Sequence, residues 1–190
     1  MITEVPNIKE LTLNLLLQIP KGRVTTYKDL ALALGDGRAS RGVGKIVANN
    51  PRPEKYPCWK VVYSDGRVGK YSAPGGLEEK IRKMRNENID VKEAKVVKFE
   101  KRRFRDFEIE PPLPKLRETQ HEVAEKAEGK IILNENPVTI GGVDVSYRKD
   151  YAVALYVEVD SSSLKVNYWA SLKDEVKFPY IPTYLAFREL

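Results

Sequence analysis

The 190-residue chain has little of what staples or metallates a small fold: one cysteine, Cys58, and one histidine, His121. A single cysteine excludes an internal disulfide framework. One cysteine with one histidine excludes an ordinary structural zinc site. Long hydrophobic runs are also missing. The longest apolar stretch falls far short of the roughly 20 residues that cross a bilayer. The opening MITEVPNIKE lacks the basic-then-apolar pattern of a secretion signal. These absences lead to the expectation of a soluble, cytoplasmic protein of a reducing compartment, with no membrane contact.

At 42% hydrophobic and 32% charged residues, the chain can bury a core and stay in solution, and its length bounds it to one or two compact units. The net charge of +6 is uneven: residues 1–110 hold 23 Lys and Arg against 15 Asp and Glu, whereas residues 111–190 hold 10 against 12. A basic front half suits a polyanion, most often nucleic acid, although a solvated basic face gives the same balance.

A charge-dense stretch ending in Pro111, Pro112 and Pro114 separates two regions. Proline fixes φ and removes a backbone donor, so 93–113 reads as a linker, with an edge strand or two before it. In region 1–92, the apolar spacing of Ile8, Leu11, Leu15 and Leu16 predicts a helix from Asn7 to about Gln18. Thr26 can cap a second helix, Tyr27 to Leu34. A third opens at Ala39 or Ser40 and runs through Val43, Ile46 and Val47 to the breaker Asn50-Pro51. With the turn Gly35-Asp36-Gly37 between them, these two helices look like a helix-turn-helix. Trp59–Tyr63 is strand-like, Ser64-Asp65-Gly66 is a hairpin turn, Arg67–Tyr71 returns, and a charged helix runs from Leu77 to about Asn88. In region 114–190, a helix from about Lys115 to Ala127, ending at Gly129, precedes three strands: Val138–Ser146, Tyr151–Val159 and Leu164–Leu172. A helix begins near the end. Three strands and one full helix make a thin core, so this region reads as incomplete.

Cys58 is the one strong nucleophile in the sequence. It follows Pro57, lies downstream of the helix-turn-helix, and has Lys55 and Lys60 nearby. Cations beside a thiol favour the thiolate that attacks, whereas a lone cysteine without context is more often an inert buried residue. The context is IPKGRVTTYKDLALALG, RASRGVGKIVANNP, PCWKVVYSDGRVGKY and GGLEEKIRKMRNE, in this order between Ile19 and Glu87. The stretch resembles the C-terminal catalytic domain of O6-alkylguanine-DNA alkyltransferases. The resemblance implies a protein that binds double-stranded DNA, flips O6-alkylguanine out of the stack, and moves the alkyl group irreversibly onto a cysteine, with no cofactor. It implies Cys58 as acceptor and Arg41 as the side chain filling the vacated stack. It implies Tyr27 as the donor to the guanine leaving group and a contact to the 3′ phosphate. Asn50 is implied to tie the recognition helix to the cysteine turn, and Tyr71 and Ser72 to form the loop over the base. The sequence departs from the family where the cysteine is followed by Trp59 and Lys60 instead of histidine and arginine, so Glu87 lacks its imidazole partner. An indole N–H only donates and cannot serve as a base. A rival is an alkyltransferase-like protein that binds the lesion without reacting, although those lose the cysteine and keep the histidine. A plain helix-turn-helix transcription factor leaves Cys58 and the glycine loop without purpose.

In the second region, GGVDVSY sets Asp144 in an apolar strand, where an acid is costly unless it binds something. GGVDVSY, the strands after it, and FPYIPTYLAFREL resemble the N-terminal half of endonuclease V, a ribonuclease-H-like nuclease acting on deaminated-base DNA. That resemblance implies Asp144 and Glu189 as Mg2+ ligands and Tyr180, between Pro179 and Pro182, as a wedge between strands. The family needs a further aspartate and a basic residue downstream, so substantial nuclease activity is not expected from these residues alone. The expected fold is α+β: a winged-helix-like alkyltransferase domain at 1–92 and a partial ribonuclease-H-like mixed α/β domain at 114–190.

Overall fold

A computed structural model describes residues 5–127, 136–148 and 151–188. The first three helices form where capping and periodicity place them. Helix α1 (Ile8–Leu17) starts at Asn7, whose side chain accepts from Glu10 N, and buries Ile8, Leu13, Leu15 and Leu16. A two-residue strand, β1 (Thr25–Thr26), leads into α2 (Tyr27–Ala33). Thr26 and Asp29 close a reciprocal capping box at its start. After the turn at Gly35–Gly37, α3 (Ser40–Ala48) turns Val43, Ile46 and Val47 into the core and leaves Arg41, Lys45 and Ala48 exposed. At Gly35, φ is +98°, and an added Cβ would run into the Pro114 ring; glycine is required twice over.

Trp59–Tyr63 differs from its strand-like expectation. Cys58–Lys60 form a 3-10 turn, and only β2 (Val61–Val62) is extended, pairing in parallel with β1. The turn at Ser64–Gly66 forms, with Tyr63 N donating to Arg67 O at 2.9 Å. The return stretch makes a single bridge, Arg67 to Lys95, through Val68 N donating to Ala94 O and Val96 N donating to Gly66 O. Helix α4 (Gly76–Asn86) follows.

Residues 93–113, read from the sequence as a linker, fold against the first region. Strands β3 (Val91–Lys92) and β4 (Lys95–Val96) make a small hairpin, and α5 (Phe99–Arg102) follows. Phe99 packs with Val24, Trp59 and Met84, while Phe104, Phe107 and Ile109 lie against the main core. Arg103 binds Asp29 with two hydrogen bonds of 2.8 Å. Proline and charge density describe an exposed strap here, and the aromatics between them hold it down.

Helix α6 (Pro112–Ala127) buries Leu113 and Leu116; the expected end at Gly129 lies outside the described residues. The three strands expected from alternation form an antiparallel meander of β5 (Thr139–Tyr147), β6 (Tyr151–Asp160) and β7 (Val166–Glu175). Much of its apolar surface is exposed, including Val143, Trp169 and Leu172. After β7 the chain returns to the first region. Phe178, Ile181, Tyr184 and Phe187 are buried in the same cluster as α1, α2 and α3, and residues 185–188 form a 3-10 turn. Asp36, in the turn before α3, accepts from Arg117 of α6 and from Tyr184 Oη. The whole is a mixed helix-and-sheet protein in which both regions share one core.

Candidate active site

Cys58 opens its 3-10 turn because the chain is pinned on both sides. Asn50 Nδ2 donates to Tyr56 O at 2.9 Å, and Cys58 N donates to the same carbonyl at 2.7 Å. The Asn50 side chain thus ties the end of α3 to the cysteine turn. Beyond the sulfur, Lys60 Nζ donates to Ile19 O and Pro20 O at 3.2 Å each and pairs with Glu87 Oε2 at 2.9 Å. Glu87 Oε2 also accepts from Gly22 N at 2.9 Å. Two chains of hydrogen bonds, largely shielded from solvent, therefore set where the sulfur stands.

Cys58 is only 4% exposed, but it lines a cavity of about 270 Å3 with Tyr27, Tyr71, Ser72, Lys70, Val47, Ala48 and Lys80. Four residues singled out from the sequence, Cys58, Tyr27, Tyr71 and Ser72, meet in this space. Tyr27 begins α2 with its ring 5.9 Å from that of Tyr63. Burial, then the neighbouring Tyr63 and Cys58, pushes its hydroxyl up to about 12. Tyr71 is likewise pushed up to about 12, by burial and then by Cys58 and Glu79. Both phenols are therefore protonated donors at neutral pH.

Lys80 escapes a motif search. It is 1% exposed on α4, and its Nζ donates to Val61 O at 2.7 Å. Burial lowers its ammonium to about 8, and the charge of Cys58 opposes that fall. The available signal is periodicity: Lys80 falls on the stripe of Leu77, Ile81 and Met84, where an apolar side chain belongs. A lysine there brings a buried positive charge into the lining of the Cys58 cavity.

The other predicted residues lie elsewhere. Arg41 is exposed on α3, and Asn50 acts from behind the turn. Glu87 caps α4, faces Lys60 and Gly22, and does not line the Cys58 cavity. Tyr180 lies against α3: an added Cβ at Gly42 would stand 3.0 Å from Tyr180 O and 3.3 Å from Ile181 Cγ1. Asp144 is exposed on β5 opposite Leu155, and Glu189 lies outside the described residues. Among the described residues no group of three or more acidic, histidine or cysteine side chains is placed to hold a metal ion. No helix among them is long and apolar enough to cross a membrane.

Residues 7–89 match the family profile of the 6-O-methylguanine DNA methyltransferase DNA-binding domain, and residues 119–190 match that of endonuclease V. A bifunctional methyltransferase/endonuclease of Thermoplasma volcanium is 41% identical over 179 residues, covering 93% of this chain and 53% of that protein. One of the same name from Picrophilus torridus is 39% identical over 176 residues, covering 93% and 56%. A methylated-DNA–protein-cysteine methyltransferase of Pyrobaculum aerophilum is 47% identical over 79 residues, covering 40% of this chain and 51% of that protein. The chain spans about half the length of these curated relatives. The two matches, to a methyltransferase DNA-binding domain and then to endonuclease V, come in the order expected from the sequence.

Proposed function

We propose that this chain, joining those two regions, is a DNA repair protein that extrudes O6-alkylguanine from duplex DNA and transfers the alkyl group irreversibly to Cys58. The observation that carries the reading is the cavity shared by Cys58, Tyr27, Tyr71 and Ser72. Its volume of about 270 Å3 suits one extruded base. Residues 1–92 are the alkyl-transferring part, with α2 and α3 as a helix-turn-helix in a winged-helix-like domain; residues 114–190 are the endonuclease V-like part, ribonuclease-H-like in fold, and 93–113 connect them.

The chemistry follows from the cavity's side chains. The Cys58 thiolate attacks the saturated alkyl carbon; the S–C bond forms as the C–O6 bond breaks, and the electron pair leaves with guanine. Tyr27, protonated at neutral pH, hands guanine the proton it takes up and is restored by the proton the Cys58 thiol released, so that the thiol proton ends on guanine. Lys80, which lines the same cavity as the sulfur, supplies positive charge where the family has its imidazole. Exposed Arg41 fills the space in the stack, offsetting part of the few kcal/mol that extrusion costs. Asn50 and the Lys60–Glu87 pair position the cysteine turn. The transfer needs no cofactor. Incubation with labelled O6-methylguanine duplex tests the reading: label on the wild type and none on Cys58→Ala supports it, and an unlabelled wild type overturns it.

A second reading, a lesion binder that does not react, is favoured by one observation: Trp59 and Lys60 follow the cysteine, and Lys60 engages Glu87. It calls for salt-sensitive binding to alkylated duplex with the lesion left intact. The endonuclease V-like part, with Tyr180 as its DNA wedge, implies deaminated-base DNA as a further substrate and Mg2+ held by Asp144 and Glu189. Magnesium wants several oxygen ligands, and Asp144 stands alone on its strand among the described residues. Weak nicking at inosine that disappears in Asp144→Ala would show that this part acts.

A further inference from the structure

Four cations converge on one groove at the junction of the two regions. Lys9 comes from α1, Lys45 from α3, Lys177 from the stretch after β7, and Arg188 from the closing turn. With Asn49 and Tyr180 they line an open space of about 420 Å3. No carboxylate lines it, and none of the four cations is in an ion pair among the described residues. Glu175 is on the flank, lining a neighbouring cavity with Lys9 and Lys177. Cations elsewhere are matched: Arg103 with Asp29 and Arg117 with Asp36 across region boundaries, and Lys60 with Glu87 within the first region. Like charges gathered without counter-charges repel, and such a cluster is the footprint of a polyanion site.

The groove continues a surface already described. Arg41 and Lys45 stand four residues apart on the exposed face of α3, and Ala48, one turn on, lines the Cys58 cavity. The groove's far wall belongs to the endonuclease V-type region and is fixed to α3 by the close approach at Gly42 and by buried Phe178, Ile181 and Tyr184. The Arg188 guanidinium is held 4.0 Å from the Tyr147 ring centroid. The wall is in place without any rearrangement.

We propose that this groove is a phosphate track: it takes the sugar–phosphate backbone of the duplex bound on α3, so that both regions grip one DNA molecule. The proposal rests on the reading that α3 binds DNA. Its test is the salt dependence of binding to a long O6-methylguanine duplex. Lys9→Ala/Lys177→Ala is compared with wild type and with Lys126→Ala/Lys165→Ala, which changes net charge equally away from the groove. The groove variant flattens the plot of log K against log salt by about 1.8, at about 0.9 per lost phosphate contact, while the control leaves it unchanged. Alkyl transfer from the free O6-methylguanine base to Cys58 is the same in all three proteins. Equal slopes for the groove and control variants, with wild type binding duplex normally, would overturn the track. Absence of salt-sensitive duplex binding by wild type would overturn the DNA reading beneath it.

Discussion

Lys60 Nζ lies 2.9 Å from Glu87 Oε2, and the two side chains are 6% and 20% exposed. The pair joins the cysteine turn to the end of α4, and through Ile19 O, Pro20 O and Gly22 N to the chain after α1. Removing one partner of a buried pair leaves the other charge uncompensated. Glu87→Ala is therefore expected to lower unfolding stability by on the order of 3 kcal/mol, read by denaturant melts. Transfer per folded molecule, measured well below the melting temperature, should stay within a few-fold of wild type. Unchanged stability with lost transfer would instead place Glu87 in the chemistry.

Lys80 makes a prediction with a sign in pH. Burial holds its ammonium at about 8, so it is charged at pH 7 and loses its charge as pH rises through that value. Its positive charge in the Cys58 cavity is present below about pH 8 and lost above it. Lys80→Met should slow transfer at pH 7 by tenfold or more, and the ratio of wild-type to variant rate should shrink towards one by pH 9.5. A ratio independent of pH would show that Lys80 acts only as a structural anchor for Val61 O.

Much of this arrangement is legible in the sequence because it depends on local rules. Asn7, Thr26 and the break at Asn50-Pro51 fix three helices, and alternation fixes the meander. Cys58, Tyr27, Tyr71 and Ser72 come together as the motif order implies. What is not legible depends on contacts distant along the chain. Nothing near Arg103 announces Asp29, so 93–113 reads as a linker. Nothing near Pro179 announces Gly42 of α3, so the sequence shows a wedge segment without showing that it packs on that helix. Lys60 reads as a cation beside a thiol, yet its carbonyl and Glu87 partners turn it to structural use. Lys80 breaks an apolar stripe, a signal visible only once Lys80 and Met84 are known to be the buried positions of that helix.

The Asp29–Arg103 pair predicts acid behaviour. Burial alone would raise the Asp29 carboxyl, but hydrogen bonds from Arg103 and Thr26, with the Arg103 charge, outweigh it and hold the carboxyl below the usual carboxylate range. A depressed carboxyl contributes stability above its unfolded value of about 4, and that contribution is lost as pH falls through the folded value. Asp29→Asn should be less stable than wild type at pH 7 by on the order of 3 kcal/mol. The gap should narrow as pH falls below about 4. Urea melts across that range check it; a constant gap would contradict it.

Arg41 separates extrusion from chemistry. Arg41→Ala should reduce transfer from duplex by on the order of tenfold to a hundredfold, since the few kcal/mol of unstacking is no longer offset. Transfer from the free O6-methylguanine base should not change. Equal loss with both substrates would place Arg41 in support of the cavity instead.

The most direct measurement is peptide mass analysis of the protein after incubation with a single-lesion O6-methylguanine duplex. The predicted result is one methyl group per protein molecule on the Cys58 peptide, matched by conversion of the lesion to guanine. An unmodified Cys58 peptide beside a tightly bound, intact lesion would contradict the account and leave a protein that recognises the damage without accepting it.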